Sequence, residues 1–414
     1  MKIAQGVNLH LIKTKQFKTN HITFRFSGDL TKRTIAKRVL AAQMLATVNA
    51  SYPTARLFRQ RLAALYGANL STKVSTKGLV HIVDIDISFI RDEFTFNGEE
   101  LLQNILIFLK ECLFSPLAAT AQYQPKIFDL EKKNLINYLE VDKEDSFYSS
   151  HLALKTLFFD NPSLQVSKYG QIDLVQAENS YTAYQEFQHM LNQDQIDIFV
   201  LGDFDDYKVV RLIHQFPFEN RLKPLNFIYQ QDYKNIITEV IEKRSVNQSV
   251  LQLAYHNPIS YHDEDYFALL VFNGLFGNFP HSKLFTEIRE KEGLAYTINS
   301  QINSLTGLLN VYAGIDKKNR DKTLKLINKQ LSDIKLGRFS STLVKQTKKM
   351  LITNMQAILD SPKATIEKVY NSKYLKENPD IDNWVNHINQ VSKEDIIRVA
   401  GKIKLQVFYF LEGE

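Results

Sequence analysis

The chain repeats itself once. The stretch YPTARLF (52–58) returns as FPHSKLF (279–285), and a helical continuation follows each copy. Each continuation ends in a glycine, Gly67 or Gly293, and an alternating strand-like stretch comes next, ANLSTKVSTK or LAYTINSQI. The two glycines lie 226 residues apart in a chain of 414 residues. This spacing indicates a duplicated folding unit, and the chain is also too long for one ordinary core.

Other segments pair across the two halves in the same way. HITFRFSG (21–28) and SVLQLAYH (249–256) are early strands, and IDIFVLGDF (196–204) and IKLQVFYFLEG (403–413) close each half. Amphipathic helices are expected at 323–335, at 343–359 and, after a capping-box start, at 391–403. Strands and helices mix without regular βαβ alternation, which favours an α+β fold. We therefore predict domains at 1–220 and 236–414, joined by the polar, aperiodic segment 219–235.

Composition excludes several classes of protein. The net charge of +6 is modest, and the absence of any long basic run argues against nucleic acid as a partner. Cys112 is the single cysteine, so an internal disulfide and a cysteine-based zinc site are both excluded, and the apolar helix around it predicts a buried thiol. No signal-peptide pattern and no membrane-spanning apolar run is present in the sequence, so we expect a cytoplasmic protein without a membrane partner.

Histidines offer little evidence for a metal site. No two of the ten lie three or four residues apart, so no helix presents a histidine pair on one face. The stretch HNPISYH (256–262), followed by Asp263, Glu264 and Asp265, is a loop in which a metal site is a minor alternative. Nucleophile-elbow, Walker and dinucleotide-binding motifs are also missing from the sequence.

The segment LFTEIREKEGLAYTINSQ (284–301) combines a helix end, Gly293 and a strand. Arg289 and Tyr296 stand on either side of that turn. One interpretation has the two side chains converging on a common point. The other has Arg289 in a surface ion pair with neighbouring glutamates and Tyr296 packed as a core ring. The pattern alone leaves both open.

The duplication, GLFGNFPHSKLFTEIREKEGLAYTINSQ (274–301) and the closing KEDIIRVAGKI resemble the insulinase/pitrilysin metallopeptidase family over essentially the whole chain. The resemblance implies two homologous domains, each a mixed sheet covered by helices, that form a half-clamshell. It further implies a zinc site made by a His-x-x-Glu-His helix and a distal glutamate. A narrower resemblance is to bacterial members that lack this motif and are linked to elongation factor P 5-aminopentanol modification, for which the sequence offers no chemical route.

This sequence departs from the family's zinc motif. The corresponding helix reads IAKRVLAAQMLATV (35–48), which places Val39 and Gln43 at the histidine positions and Ala42 at the position of the general base. In FDLEKKNLINYLEVDKED (128–145), Glu131 falls on the family's accessory glutamate and Tyr138 on the distal ligand. Aliphatic and amide groups do not hold zinc against water, so we expect neither metal nor cofactor in this chain.

Arg289 and Tyr296, by contrast, match a pair that in the family binds substrate carbonyls and the developing oxyanion. Where the family works as two chains, one chain supplies zinc and the other supplies this pair. The resemblance therefore implies a non-catalytic subunit whose partners are a homologous zinc-motif-bearing chain and a peptide, with a homodimer as another possible assembly. Two alternatives stay open: a peptide- or protein-binding scaffold without a role in hydrolysis, and an independent peptidase with an unrecognised site.

Several residues before this pair have structural interpretations. Gly274 and Gly277 are expected to form a tight connection rather than a phosphate loop. Ser282 or His281 is expected to cap the following helix rather than act as a nucleophile. Lys283 is a candidate for positioning peptide backbone.

Overall fold

A computed structural model describes residues 1–358, 360–376 and 380–413. It contains two compact units. Unit 1 comprises Met1–Val141 and Val166–Asn226, and unit 2 comprises Asp142–Gln165 and Phe227–Glu414. The boundary at 226/227 falls inside the expected linker, in which residues 219–235 form neither helix nor strand. The predicted boundaries differ from these units in one respect. Residues 142–165 belong to the first half of the sequence, but they pack with unit 2.

Unit 1 contains a mixed sheet and a small hairpin. Its strands are β1 (Lys2–Ala4), β2 (Val7–Lys13), β3 (Thr19–Asp29), β4 (Asn69–Lys77), β5 (Val80–Ile90), β6 (Ala118–Ala119), β7 (Gln122–Tyr123) and β8 (Gln195–Gly202). The order in the main sheet is β1-β2-β8-β3-β5-β4, and β6 pairs with β7. The helices up to this point of the chain are α1 (Ile35–Leu45), α2 (Ala55–Ala64), α3 (Leu101–Phe114), α4 (Pro125–Glu144), α5 (Ser146–Phe158), α6 (Ile172–Ala177), α7 (Ser180–Gln193) and α8 (Asp206–Ile213). Of these, α5 belongs to unit 2.

Unit 2 has a five-stranded sheet. Its strands are β9 (Thr238–Lys243), β10 (Ser249–His256), β11 (Ala295–Asn303), β12 (Leu308–Ile315) and β13 (Lys404–Glu412), in the order β11-β12-β10-β13-β9. Its further helices are α9 (Tyr266–Asn273), α10 (Arg320–Lys335), α11 (Ser341–Ile358), α12 (Pro362–Tyr374), α13 (Ile381–Gln390) and α14 (Lys393–Lys402). Two π-helical segments, Gly274–Asn278 and Phe285–Lys291, lie between α9 and β11.

The two sheets share one topology. The order β2-β8-β3-β5-β4 in unit 1 corresponds strand for strand to β9-β13-β10-β12-β11 in unit 2. In each sheet the first pair of this series is parallel and the remaining pairs are antiparallel. This correspondence matches β3 with β10 and β8 with β13, as the sequence predicted. The duplication and the α+β class are therefore confirmed.

Helices cover one face of the sheet in unit 2. Alternate residues of β10 and β12, among them Leu251, Leu253 and Val311, point into a core with Phe272 of α9 and Val399 of α14. The intervening residues of these strands lie on the opposite face, which α5 partly covers. In unit 1, Cys112 is buried in α3, and burial raises the pKa of its thiol to about 12. Within the described ranges, no helix has the length and apolar character needed to cross a bilayer.

Candidate functional site

Helix α1 carries the positions that the resemblance assigns to the family's zinc motif. Nine of its eleven side chains are buried, since it packs against α7 and β5. Val39 is 3% exposed and Ala42 is 2% exposed, so both are core residues. Gln43 is partly buried, and its Oε1 has no hydrogen-bond partner among the described residues. The helix therefore presents methyl groups and one amide where metal ligands and a base would be needed.

The distal positions lie on α4. Glu131 accepts hydrogen bonds from Thr47, just beyond α1, at 3.3 Å and from Asn134 at 3.4 Å. Tyr138 is half exposed, and its ring meets the ring of Tyr169 edge-on at 5.1 Å. The structure thus brings Glu131 to the end of α1, but the donor set at the motif positions does not fit zinc. Nowhere in the described part of the chain are three His, Cys, Asp or Glu side chains grouped to hold a metal ion.

A buried charge network anchors α1 instead. Arg38 Nη2 lies 2.7 Å from Asp194 Oδ2, and Arg38 Nε donates to His81 Nδ1 at 3.0 Å. Burial, with a smaller contribution from Arg38, lowers the pKa of His81 to about 3. Because the ring is neutral and Nδ1 accepts, Nε2 carries the proton and donates to Lys168 O at 3.0 Å. The sequence reasoning missed this network, although an arginine within the largely apolar helix IAKRVLAAQML was a signal for it.

Arg289 lies on the π-helical segment Phe285–Lys291. The last wide turn of this segment is closed by Glu292 N, which donates a hydrogen bond to Glu287 O. Gly293 follows the cap residue Glu292 and has a φ of +62°. The Arg289 guanidinium sits 4.7 Å from the ring centroid of Phe285, on the same segment. Single π-helical turns are rare and frequently occur at functional sites, because the widened turn redirects the side chains that it carries.

Tyr296 lies at a β-bulge on the edge strand β11. Ala295 pairs with Ile315 and Thr297 pairs with Gly314, so Tyr296 is the extra residue that has no counterpart on β12. Its side chain is 66% exposed. Bulges are enriched near active sites, where they redirect a side chain away from the regular alternation.

The surface-pair and packed-ring interpretations do not describe this arrangement. Glu287 pairs with Lys291 at 2.6 Å, and Glu292 pairs with Lys322 at 2.6 Å. No acidic side chain of the described residues forms an ion pair with Arg289. Both Arg289 and Tyr296 therefore present hydrogen-bond donors to solvent, and their functional role stays a prediction.

Most of the residues that precede this pair have structural roles, whereas the role of Lys283 in positioning a peptide stays a prediction. Ser282 is buried and accepts a hydrogen bond from Phe285 N at 3.4 Å, which confirms it as a helix cap. His281 Nε2 lies 3.0 Å from Thr347 Oγ1, and Lys283 Nζ lies 3.5 Å from Arg338 O. A Cβ at Gly277 would lie 2.6 Å from Ser300 Oγ, and one at Gly274 would lie 2.7 Å from Thr347 Cγ2. These glycines therefore allow close packing, as predicted.

Side chains of the acidic loop after His256 form hydrogen bonds and ion pairs with other residues of the chain. Asp265 is bound by Arg398 at 2.6 Å and by Lys402 at 2.7 Å, and the hydrogen bond from Arg398 holds the pKa of this carboxyl below its usual value. Asp263 accepts a hydrogen bond from Ser260 N, and His256 Nε2 lies 2.9 Å from Gln231 O. These partners favour a structural role for the loop over the metal-site alternative.

Comparison with known proteins gives a consistent assignment. Residues 183–351 match the family model described as the peptidase M16 inactive domain. The chain is 33% identical over 410 residues to the "probable inactive metalloprotease YmfF" of Bacillus subtilis, covering 99% of this chain and 96% of that protein. It is 22% identical to the "uncharacterized zinc protease YmxG" of the same organism, covering 66% of this chain and 68% of that protein. A solved structure of a conserved protein from Enterococcus faecalis V583 superposes with a TM-score of 0.95 at 38% identity, covering 100% of this chain and 98% of that chain. On this identity and coverage, the chain belongs to the M16, insulinase/pitrilysin-like family of peptidases, among its inactive members.

Proposed function

We propose that the protein is a peptide-binding, non-catalytic subunit that supplies Arg289 and Tyr296 in trans to a zinc-bearing homologue. The observation that carries this proposal is a division of chemistry within the chain. The positions for metal and base on α1 are buried aliphatic residues and an amide, whereas the two donors on unit 2 are exposed. A chain of this kind retains groups that stabilise charge and lacks groups that generate a nucleophile.

The two donors suit a peptide carbonyl. A guanidinium offers five N–H donors in a fixed planar arrangement, and a phenol offers one O–H donor. Contact with the ring of Phe285 orders the guanidinium before a ligand binds, which lowers the entropy lost on binding. Donors fixed in this way stabilise negative charge that develops on a carbonyl oxygen during cleavage, while the partner chain supplies zinc and water.

A homologous chain is the partner that this division of chemistry requires. The two Bacillus subtilis relatives of this chain are named "probable inactive metalloprotease" and "uncharacterized zinc protease". That coexistence supports the pairing of one inactive and one zinc-bearing chain, with a homodimer of this chain as the competing assembly. The competing assembly would lack zinc ligands in both copies.

The proposal is tested by mixing the purified chain with the zinc-motif-bearing homologue from the same organism. A fluorogenic decapeptide should be cleaved by the mixture and left intact by this chain alone. Arg289→Ala should lower kcat of the mixture by about 10²–10³-fold, the usual cost of losing one oxyanion donor. Lys291→Ala is the matched control, because Lys291 is exposed on the same π-helical segment and pairs only at the surface with Glu287.

Two results would contradict the proposal. Stoichiometric zinc and turnover by the chain alone would make it an independent peptidase. A mixture whose activity is unchanged by Arg289→Ala, with the complex intact by size-exclusion chromatography, would favour the scaffold function.

A further inference from the structure

Unit 2 contains a pocket on the sheet face opposite its core. Its volume is about 570 Å³, and it lies between the first turns of α5 and strands β10, β11 and β12. The side chains that matter for its chemistry are Phe147, Tyr148, His151, Gln252, Asn310 and Tyr312. Gln252 and Asn310 are 1% and 4% exposed, and they are diagonal neighbours, since Gln252 pairs with Tyr312 and Asn310 pairs with Ala254.

The hydrogen bonds that the side-chain nitrogen of Gln252 donates fix the orientation of its amide. Nε2 donates to Phe147 O at 3.3 Å and to Ser150 Oγ at 3.0 Å, so the nitrogen faces α5. The carbonyl oxygen Oε1 is buried and meets no donor among the described residues. A buried oxygen without a donor destabilises the unliganded protein, which makes it a candidate ligand contact.

Asn310 presents a second oxygen of the same kind. Its Nδ2 lies 3.2 Å from His151 Nδ1, and its Oδ1 is buried without a donor in the described chain. Because an amide nitrogen only donates, His151 Nδ1 accepts. Burial, with a smaller contribution from Lys155, lowers the pKa of His151 to about 4, so the ring is neutral near pH 7 and its proton lies on Nε2. Gln252, Asn310 and His151 together therefore give this part of the wall two acceptors and one N–H donor.

The rest of the lining combines aromatic side chains with Thr297 and Gln301, and it contains no acidic group. Phe147 and Tyr312 meet edge to face with ring centroids 5.9 Å apart. None of the described lining residues is an aspartate or a glutamate. A cationic ligand would have no countercharge here, and a carboxylate would face the two carbonyl oxygens. The site is suited to a neutral, planar group.

We propose that this pocket binds the side-chain primary amide of a glutamine or asparagine in a peptide. A primary amide has two N–H donors and one carbonyl acceptor, which is the complement of two carbonyl oxygens and one imidazole N–H. A backbone peptide group has a single N–H and would leave one buried oxygen without a donor. The proposal rests on the proposed function only in taking the ligand to be a peptide.

The test is selection from a library of capped hexapeptides passed over the immobilised full-length chain, with mass-spectrometric readout of retained peptides. Glutamine or asparagine should be enriched about tenfold over glutamate, aspartate and leucine at one position. Gln252→Met should abolish that enrichment, because it removes an acceptor at nearly constant volume. Thr297→Tyr, on the accessible edge strand, should also abolish it by filling the pocket without touching the buried hydrogen bonds, and so covers the case in which Gln252→Met does not fold.

Arg289→Ala separates this proposal from the proposed function. The enrichment should persist in Arg289→Ala and without any zinc-bearing partner, even if the mixture of chains proves inactive. Absence of amide selectivity in the wild-type chain would overturn the proposal. Selectivity that survives both Gln252→Met and Thr297→Tyr would overturn it equally.

Discussion

Arg38 Nη2 lies 2.7 Å from Asp194 Oδ2, and both side chains are 2% exposed. The pair joins α1 to the residue that precedes β8. Gly28 of β3 makes room for it, because a Cβ there would lie 2.4 Å from Asp194 Oδ1. The helix that the resemblance aligns with the family's zinc motif is thus anchored here by charge.

Arg38→Met should strongly destabilise unit 1. It removes the cation that lies against the buried Asp194 carboxylate, and breaking a buried pair from one side costs about 3–5 kcal/mol. Urea denaturation followed by circular dichroism would measure the loss, and Arg38→Met/Asp194→Leu should recover part of it. Lys13→Met is the control, since Lys13 and Asp206 form an exposed pair worth at most about 1 kcal/mol. A loss as small as that of the control would contradict the anchoring role.

Acid should destabilise the fold through His81. Its pKa is about 3 in the folded protein, against a usual value of 6.5, so the unfolded chain binds more protons between these values. The free energy of unfolding should therefore fall as pH is lowered from 6.5 towards 3, by about 2 kcal/mol or more from this residue. His81→Gln should flatten the decline, whereas replacement of the exposed His262 by glutamine should leave it in place. An identical acid profile for His81→Gln and wild type would refute this assignment.

The sequence predicted the fold better than the details of the site. The repeat around Gly67 and Gly293 and the alternation in β3 and β10 are local patterns, and they led to the duplicated topology. The packing of α5 with unit 2 depends on tertiary contacts, which no local sequence pattern predicts. The bulge at Tyr296 was equally hidden, because it arises from strand pairing. Gln252, within SVLQLAYH, did carry a signal: an amide between apolar strand residues.

Two glycines near the pair should respond differently to substitution. At Gly293 a Cβ would meet nothing within 4 Å. Gly293→Ala should therefore lower the free energy of unfolding only by the cost of holding alanine in the left-handed backbone conformation, about 1–2 kcal/mol. At Gly277 a Cβ would lie 2.6 Å from Ser300 Oγ and 2.8 Å from Leu284 Cδ1, both buried. Gly277→Ala should therefore lower the melting temperature more than Gly293→Ala does. The reverse order in a thermal melt would contradict the packing described here.

Chelation should leave the protein unchanged. The motif positions offer aliphatic groups, an amide and a phenol, and a structural zinc site would couple metal binding to folding. Dialysis against EDTA should not shift the melting temperature, and metal analysis of the purified chain should find no stoichiometric zinc. A lowered melting temperature that zinc restores would show a metal site outside the degenerate motif.

Arg289 and Tyr296 should act on one oxygen of the bound peptide. If both residues donate to the same developing charge, removal of either one already loses much of the stabilisation of that charge. The effects of the two substitutions should therefore not add. In the mixture with the zinc-bearing homologue, Arg289→Ala and Tyr296→Phe should each lower kcat by about 10²-fold or more, and the double variant by less than the product. Tyr207→Phe, on an exposed tyrosine of α8, is the control for loss of a surface phenol. Strict additivity would mean that the two donors bind different groups of the peptide. An unchanged KM in every variant would locate the effect in the chemical step.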